Sequence, residues 1–198
     1  MAGADRGAAV GGPSVGVKPT TMAQALSRSA AMRLEAPSEE ALGALPALLM
    51  AAFGPGRFAK TSERVRENGA RLDPALSRVA VDGGRVVGCC LLSHVRIGEA
   101  PGLFLGPLAV HPHAQKAGLG AGLVQATLEA AREAGSGAVI LVGAPSFFMP
   151  LGFSVIPKGR ITLPGPVDPA RLLGISLTPG ALEGMAGLVS GFPDASRP

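Results

Sequence analysis

The segment from Gln115 to Gly120 has the residue types best suited to binding a ligand. It reads Gln-Lys-Ala-Gly-Leu-Gly and stands between a run that predicts a strand and a run that predicts a helix. The first N–H groups of a helix have no partner within the helix, and the helix dipole adds positive potential there. Glycines let the backbone approach a ligand closely. The segment therefore predicts a site for an anion such as a pyrophosphate, with Lys116 adding a positive charge.

Two common phosphate-binding patterns do not match this segment. The dinucleotide fingerprint Gly-x-Gly-x-x-Gly is absent in that order, and no acidic residue stands at the expected position about 20 residues further on. The Gly-Lys-Ser or Gly-Lys-Thr of a nucleotide-triphosphate loop is absent as well. By itself, the segment is equally compatible with a glycine-rich helix start that packs against a sheet and binds nothing.

Histidines and cysteines are the other side chains with chemical potential. His94 lies near the end of a long predicted strand, and His111 and His113 flank the glycine segment. Cys89 and Cys90 are adjacent, so in a strand they point to opposite faces. With no second Cys or His cluster at ligand spacing, we expect neither a disulfide nor a metal site. Buried strand cysteines are usually inert, which disfavours an acyl-carrier role.

Composition excludes several classes of protein. Hydrophobic residues make up 47% of the 198 residues and charged residues 16%, which favours a globular domain over a highly charged disordered chain. The net charge of +4 is spread over scattered Lys and Arg residues, and the chain has neither Trp nor Tyr. We therefore expect no nucleic-acid partner. No apolar run is long enough to span a membrane, so we expect a soluble, cytoplasmic protein.

The chain divides into an extension and one domain. Residues 1–31 are rich in Ala, Gly, Ser and Thr, and we expect them to be disordered. They are either a disordered tail or residues upstream of the true start. Their basic, acid-poor composition also allows a targeting segment. Residues 32–190 predict a single domain, and residues 191–198 predict a flexible tail.

Strand and helix patterns alternate through the domain and predict a mixed α/β fold. Asp82-Gly83-Gly84 is a hairpin signal between two of the strands. The predicted strands are residues 32–36, 76–81, 85–97, 103–110, 138–142, 152–156 and 175–178. The predicted helices run from Ser38, as N-cap, to about residue 52, then over about 60–71, from 115 to Gly135, over 145–151, and over 181–188 as a small turn.

Two runs, read together, resemble the GNAT N-acetyltransferase superfamily. They are Leu105–Val124, L-G-P-L-A-V-H-P-H-A-Q-K-A-G-L-G-A-G-L-V, and Ala138–Val155, A-V-I-L-V-G-A-P-S-F-F-M-P-L-G-F-S-V. Residues 175–182 add a likeness to an uncharacterised bacterial branch of this superfamily. The resemblance implies an acyl-CoA N-acyltransferase fold, in which helices flank a central, mixed and mostly antiparallel sheet.

The resemblance also implies acetyl-CoA as co-substrate. In this family the glycine segment wraps the pyrophosphate, and the pantetheine arm lies in a split between the preceding strand and the next one. An extended chain that carries amides can pair with a strand edge in this way. The residues expected to contact acetyl-CoA are Leu108, Ala109, Val110, Gln115, Lys116, Ala117, Gly118, Leu119, Gly120, Ala121 and Phe148.

The acid–base residues depart from the family pattern. Phe148 stands where many members carry a Tyr that can protonate the departing thiolate, and Ala144 replaces a frequent acidic residue. Leu105-Gly106-Pro107 offers no carboxylate as a general base. His94 is the best-placed substitute base by topology, and Ser146 is placed to relay a proton through water. The ordinary alternatives are a structural or solvated His and a Ser that starts a short helix.

These expectations define two functions. The first is an N-acetyltransferase that moves the acetyl group from acetyl-CoA to a primary amine of a small molecule or peptide, by direct attack in a ternary complex. Proximity and orientation alone can supply about 7–11 kcal/mol of such catalysis. The second is a catalytically silent domain that binds or senses acyl-CoA. A homodimer is compatible with either.

Overall fold

Ten strands join into one sheet in the part of the chain that the structure, a computed structural model, describes: residues 32–54, 61–115 and 118–191. The strands are β1 (Arg33–Glu35), β2 (Arg71–Leu72), β3 (Arg78–Asp82), β4 (Arg85–Ile97), β5 (Ala100–Val110), β6 (Ala138–Val142), β7 (Ser154–Val155), β8 (Ile161–Thr162), β9 (Leu172–Ser176) and β10 (Gly187–Ser190). The α-helices are α1 (Glu39–Phe53), α2 (Thr61–Glu67), α3 (Leu119–Glu133) and α4 (Pro145–Phe148).

The sheet is mixed and mostly antiparallel, as predicted. Its main order is β1-β3-β4-β5-β6-β9-β7, and β2 and β10 both pair with β4. The parallel pairs among the described strands are β5 with β6 and β8 with β10. A parallel neighbour requires a crossover connection, and α3 is the helix that carries the chain from β5 to β6.

The two long central strands follow from local sequence. Alternation and apolar content predicted the bounds of β4 correctly, and β5 begins three residues earlier than predicted. Gly83 and Gly84 have φ values of 55° and 79°, the left-handed conformation that a two-residue hairpin turn needs at both positions. Ser38 caps α1 as predicted, since its Oγ accepts a hydrogen bond from the Ala41 N–H at 3.2 Å.

Helices cover both faces of the sheet. We call the face that packs on α3 the upper face and the face that packs on α1 and α2 the lower face. Because side chains alternate along a strand, Leu92 of β4 faces upward while Leu91 faces downward. The upper-face cluster contains Leu92, Leu103, Leu105, Leu123, Val124, Leu128, Val139, Leu141 and Phe148. The lower-face clusters contain Leu45, Leu48, Leu91 and Ala109 under α1, and Val65, Val95, Phe104 and Ile140 around α2.

Several predicted bounds were wrong where long-range pairing decided them. The second helix ends at Glu67 rather than at 71, because Arg71 already pairs with His94 in the sheet. The last predicted strand, 175–178, is β9 over 172–176, in register with all of β6. Residues 187 and 188 were predicted to end a small helical turn but instead begin β10, which pairs with β8 and with Ile97 of β4.

The predicted extension and tail lie almost entirely outside the described residues. This holds for all of 1–31 and for 192–198. The first residue of the predicted tail, Gly191, is described, and its N–H donates to the Asn68 carbonyl at 3.0 Å.

Candidate active site

A gap opens between β5 and β6 in the middle of the sheet. The two strands pair at Leu103 with Val139 and at Phe104 with Ile140, and the described ladder ends there. Beyond this point β5 runs on to Val110 while remaining paired with β4 on its other side. The register of β4 and β5 shifts where β5 carries Gly106 and Pro107. The strand edge from 105 to 110 therefore has β4 on one side and the gap on the other.

The backbone groups of Leu108 and Val110 face this gap. The His111 N–H donates to the Val87 carbonyl of the β4 strand at 2.8 Å. Because successive residues of a strand direct their N–H and C=O groups to opposite edges, Ala109 also faces β4. Of the three β5 residues predicted to contact pantetheine, Leu108 and Val110 thus present backbone groups to the gap. Ala109 packs its buried side chain against α1 instead.

The first turn of α3 lies next to the end of β5. The Gln115 side-chain amide donates to the Val110 carbonyl at 3.1 Å, which holds the glycine segment against the strand. Gly118 has a φ of 76° and precedes the helix, which begins at Leu119 rather than at 115 as predicted. The chain needs a residue in the left-handed conformation at this point to turn into the helix. Glycine adopts that conformation without a steric cost. A β carbon at Gly118 would meet nothing within 4 Å.

The N–H groups of this turn are available to a ligand by helix geometry. Those of Leu119, Gly120 and Ala121 lie within the first turn, where no carbonyl four residues earlier belongs to the helix. The half-buried Leu119 and Ala121 flank Gly120 on this turn. Lys116 and Ala117, also predicted to contact the pyrophosphate, lie outside the described residues.

Three phenylalanine rings pack together beside the end of β6. Phe148 is 7% exposed and packs edge-to-face on Phe147 and Phe153, with centroid distances of 4.8 and 5.6 Å. The Phe148 ring occupies the space of a side chain at Gly143, where a β carbon would be 2.3 Å from Cε2. Phe148 is therefore a core residue, and its predicted contact with acetyl-CoA stays a prediction.

Sequence reasoning missed Phe147. Its ring is 38% exposed and lies over the start of α3, so that a β carbon at Gly120 would be 3.4 Å from its Cζ. The sequence does show two adjacent Phe residues in a short predicted helix, and adjacent side chains of a helix point in different directions. It does not show which of the two rings faces outward. Ser146, the predicted proton relay, is an exposed residue of α4 between Pro145 and Phe147.

The structure places His94 away from the open part of the gap. His94 pairs with Leu103, which pairs with Val139, so these residues form a row across three strands that are still hydrogen-bonded together. The His94 Nε2 lies 2.8 Å from the Asp73 Oδ2, and the two residues border a cavity of about 400 Å³. The catalytic role of His94 stays a prediction.

The Asp73 carboxylate is held by several donors. Burial raises the pKa of this carboxyl, but the His94 hydrogen bond and the N–H groups of Leu76 and Ala75 outweigh it, so the pKa lies below its usual value. The N–H contacts measure 3.3 and 2.9 Å. Asp73 is thus ionised at neutral pH and fixes the orientation of the His94 ring.

The other two histidines lie beyond the end of β5. The His113 N–H donates to the His111 Nδ1 at 3.4 Å. Both residues border a groove of about 690 Å³ on the lower side of the sheet, together with Arg33 and Arg85 and with alanines of α1. The structure therefore separates His94 from the glycine segment and leaves His111 and His113 beside it.

Neither cysteine is a nucleophile at neutral pH. Burial raises the pKa of the Cys89 and Cys90 thiols to about 12, more than nearby hydrogen bonds lower it. A thiol that stays protonated does not attack a thioester. Among the residues described, no group of three or more His, Cys, Asp or Glu side chains is placed to hold a metal ion.

Comparison with known proteins identifies the family. The profile of the acetyltransferase (GNAT) family matches residues 44–153, more than half of the chain, so the chain belongs to this family. The resemblance drawn from the glycine segment and the runs around it is confirmed. A search of curated protein sequences finds no significant match.

Solved structures share the fold. The GNAT family N-acetyltransferase YhbS of Escherichia coli, in complex with CoA, is 28% identical, with a TM-score of 0.65 over 80% of this chain and 87% of its own. A GNAT acetyltransferase of Brucella melitensis with acetyl-CoA is 24% identical, with a TM-score of 0.59 over 80% and 94%. Naa50 of Arabidopsis thaliana, with the bisubstrate analogue CoA-Ac-MVNAL, is 16% identical, with a TM-score of 0.52 over 73% and 97%.

No helix among residues 32–54, 61–115 and 118–191 is long and apolar enough to cross a membrane.

Proposed function

We propose that this protein transfers the acetyl group of acetyl-CoA to a primary amine of a small molecule or peptide, by direct attack in a ternary complex. The observation that carries the proposal is the gap between β5 and β6, which leads to the first turn of α3. Acetyltransferases of the same fold bind CoA and acetyl-CoA. A homodimer and a cytoplasmic location stay predictions from the sequence.

The gap and the helix start suit the two ends of acetyl-CoA. The amide-bearing pantetheine arm pairs with the edge of β5 through the backbone groups of Leu108 and the Val110 N–H. The pyrophosphate accepts hydrogen bonds from the first turn of α3, where Gly118 and Gly120 keep side chains out of its way. The rings of Phe147 and Phe148 give the apolar wall that this slender, mostly uncharged arm needs.

Acetyl transfer in this site depends mainly on position. The amine nitrogen attacks the thioester carbon, the carbon–sulfur bond breaks, CoA leaves as the thiolate, and the nitrogen loses a proton. Pro107 has no N–H, so the first β5 donor beyond it that faces the gap is the Leu108 N–H, which can stabilise negative charge on the thioester oxygen. Phe148 has no proton to give to the thiolate.

The acceptor is proposed as a class only. The complex of Naa50 with the bisubstrate analogue CoA-Ac-MVNAL supports a peptide amine as a member of this class. The described residues around the gap are mostly apolar, which favours an amine that enters in its uncharged form. The proton of the amine passes to water, because Leu103 of β5 separates His94 from β6; proton transfer to His94 stays a prediction from the sequence.

A silent acyl-CoA-binding domain is the second candidate. It is favoured by the absence of Tyr from the whole sequence and of a carboxylate from β5. Both candidates require acetyl-CoA binding, which calorimetry measures. Only the first requires that free thiol appear when acetyl-CoA is mixed with a panel of amines and that mass spectrometry find the acetylated amine. Binding without thiol release from any amine would select the second.

A further inference from the structure

The strand β1 forms one edge of the sheet. Among the described strands it pairs with β3 alone, so the N–H and C=O groups on its other side have no strand partner in that part of the chain. All residues of β1 are exposed. An open strand edge is a template for pairing with another chain, and proteins usually shield it. The edge of β1 is therefore a candidate interaction surface.

The side chains of β1 divide between the two faces of the sheet. Leu34 pairs with Ala80 of the upper-face cluster and is 39% exposed. Met32 lies on the same face by alternation and is 38% exposed. Arg33 and Glu35 point to the lower face, where the Arg33 Nε lies 3.4 Å from the Glu35 Oε2. The edge thus offers exposed apolar side chains on one face and opposite charges on the other.

The described helices leave this edge accessible. The helix α1 packs beneath β4 and β5, and α3 packs over β4 and its neighbours β3 and β5. A strand spacing of about 4.8 Å puts β4 about 10 Å from β1. Beneath β1 lies the groove of about 690 Å³ that Arg33 and Glu35 border. The arrangement therefore leaves room for a further strand beside β1.

Charge selects one register for a second copy of this chain. A two-fold axis perpendicular to the sheet makes the two β1 strands antiparallel and keeps both faces, so a residue on the axis lies opposite itself. An axis at Arg33 or at Glu35 would place like charges opposite each other, which is destabilising. An axis at Leu34 places each Arg33 opposite a Glu35 and the two Leu34 side chains opposite each other.

We infer that a second copy of this chain pairs with β1, antiparallel and centred on Leu34, and joins the two sheets into one continuous sheet. Backbone groups of the edge bond across the axis, and the Arg33 and Glu35 charges pair between the copies on the lower face. Met32 and Leu34 bury apolar surface on the upper face. The gap between β5 and β6 lies beyond β4, so both copies keep an open gap. This dimer does not depend on the proposed acetyl transfer.

Charge reversal tests the interface in the full chain. Gel filtration with light scattering should give a mass near twice 19.7 kDa, and dilution should give the dissociation constant of the dimer. Glu35→Arg replaces opposite charges by like charges at both pairs and should raise this constant at least about tenfold. Exchanging the charges, with Arg33→Glu and Glu35→Arg together, should return it to within about threefold of the parent.

Val155→Lys is the matched control for these variants. Val155 is an exposed apolar residue, 44% accessible, of the strand β7 at the opposite edge of the sheet. The substitution adds a charge to an edge strand outside the proposed interface, so the dissociation constant should stay unchanged. Circular dichroism confirms the fold of each variant.

A single introduced cysteine tests the register. With the axis at Leu34, the two copies of this residue face each other at a Cα distance of about 4.5–5.5 Å, which suits a disulfide. Leu34→Cys should therefore form a covalent dimer under mild oxidation. Arg33→Cys faces Glu35 of the other copy and should not. The native Cys89 and Cys90 are buried and do not compete.

The opposite results would overturn the inference. A parent that is monomeric at every concentration has no such interface. A dimer that Glu35→Arg does not weaken, or that the charge exchange does not restore, uses another surface. Cross-linking of Arg33→Cys in place of Leu34→Cys would put the axis elsewhere, and equal cross-linking of both would indicate random collision. The thiol-release assay with amines is separate, so failure of the dimer and failure of acetyl transfer are distinguishable.

Discussion

The ring of Phe147 lies directly against the Cα of Gly120. A β carbon on Gly120 would sit 3.4 Å from the Phe147 Cζ and 3.9 Å from the Val110 Cγ2, so the start of α3, the end of β5 and the short helix α4 meet at one glycine. These are the elements that border the gap. A side chain at position 120 would thus enter the space in which the proposed pyrophosphate and the upper end of the pantetheine arm lie.

Gly120→Val should weaken acetyl-CoA binding at least tenfold, or about 1.4 kcal/mol. The valine methyl groups would block close approach of the backbone and push on the partly exposed Phe147 ring. Calorimetry measures the affinity, and circular dichroism confirms the fold.

Gly122→Val is the matched control for this substitution. It lies in the same helix and has the same propensity cost, but a β carbon there meets nothing closer than Leu34 Cδ1 at 3.9 Å. We expect its affinity to stay within about twofold of the parent. A folded Gly120→Val protein that binds acetyl-CoA as tightly as the control would refute the proposed pyrophosphate site.

Phe148→Tyr should leave acetyl transfer unchanged or raise it. The new hydroxyl enters the upper-face cluster beside Phe153, and burying it unpaired lowers the free energy of unfolding by about 1–3 kcal/mol. The departing thiolate is the partner that the hydroxyl can reach if Phe148 flanks the thioester. The loss of stability should therefore shrink when CoA is bound, which thermal unfolding with and without CoA measures.

Phe148→Ala accompanies this test, because it removes the wall without adding a proton donor. The parent has no Tyr, so its pH–rate profile should lack a limb from a phenol. Normal turnover by the parent that is lost in Phe148→Tyr would show that the pocket requires an apolar ring and that the acid lies elsewhere.

The thiols of Cys89 and Cys90 should be unreactive in the native protein. Because burial raises the pKa of Cys89 and Cys90 to about 12, both are protonated at pH 8 and should not react with a disulfide reagent until the protein is unfolded. Their raised pKa also means that the unfolded state ionises first, so stability should fall as the pH rises above about 8.5. Detection of an acetylated cysteine during turnover would contradict this prediction.

Asp73→Asn should make the free energy of unfolding depend less on pH in the acid range. A carboxyl with a lowered pKa stabilises the fold above its unfolded pKa, and this contribution is lost as the pH falls below about 4. The His94 side chain is 43% exposed, so solvent screens the pair and its contribution at pH 7 should stay below about 1 kcal/mol. Urea unfolding from pH 3 to 7 measures both effects, and an unchanged acid limb would contradict the prediction.

His94→Gln decides the catalytic prediction for the same pair. Removing a general base costs about 10²–10⁴-fold in rate, and such a loss, together with loss of a limb of the pH–rate profile, would establish His94 as the base. Because Leu103 lies between His94 and β6, we expect kcat to remain within about threefold of the parent. That result would show that the His94–Asp73 pair stabilises the fold and takes no part in proton transfer.

Local patterns in the sequence predicted much of the frame. The bounds of β4 and β6, the Gly83-Gly84 turn and the short helix at Pro145 each depend on residues that are close together in the chain. The resemblance to the GNAT superfamily, carried by the glycine segment and the runs around it, implied where the binding gap would open.

The sequence by itself determined the family and the lack of a phenol, and it predicted an anion site at the helix start, since these follow from residue types and short spacings. Only the tertiary structure decided that Ala109 faces β4, that Phe147 rather than Phe148 covers Gly120, and that His94 is held by Asp73. Each of these depends on pairing or packing between segments far apart in the chain. Local sequence predicts which side chains share one face of a strand or helix. The register of the sheet and the packing of the helices decide which residues contact that face.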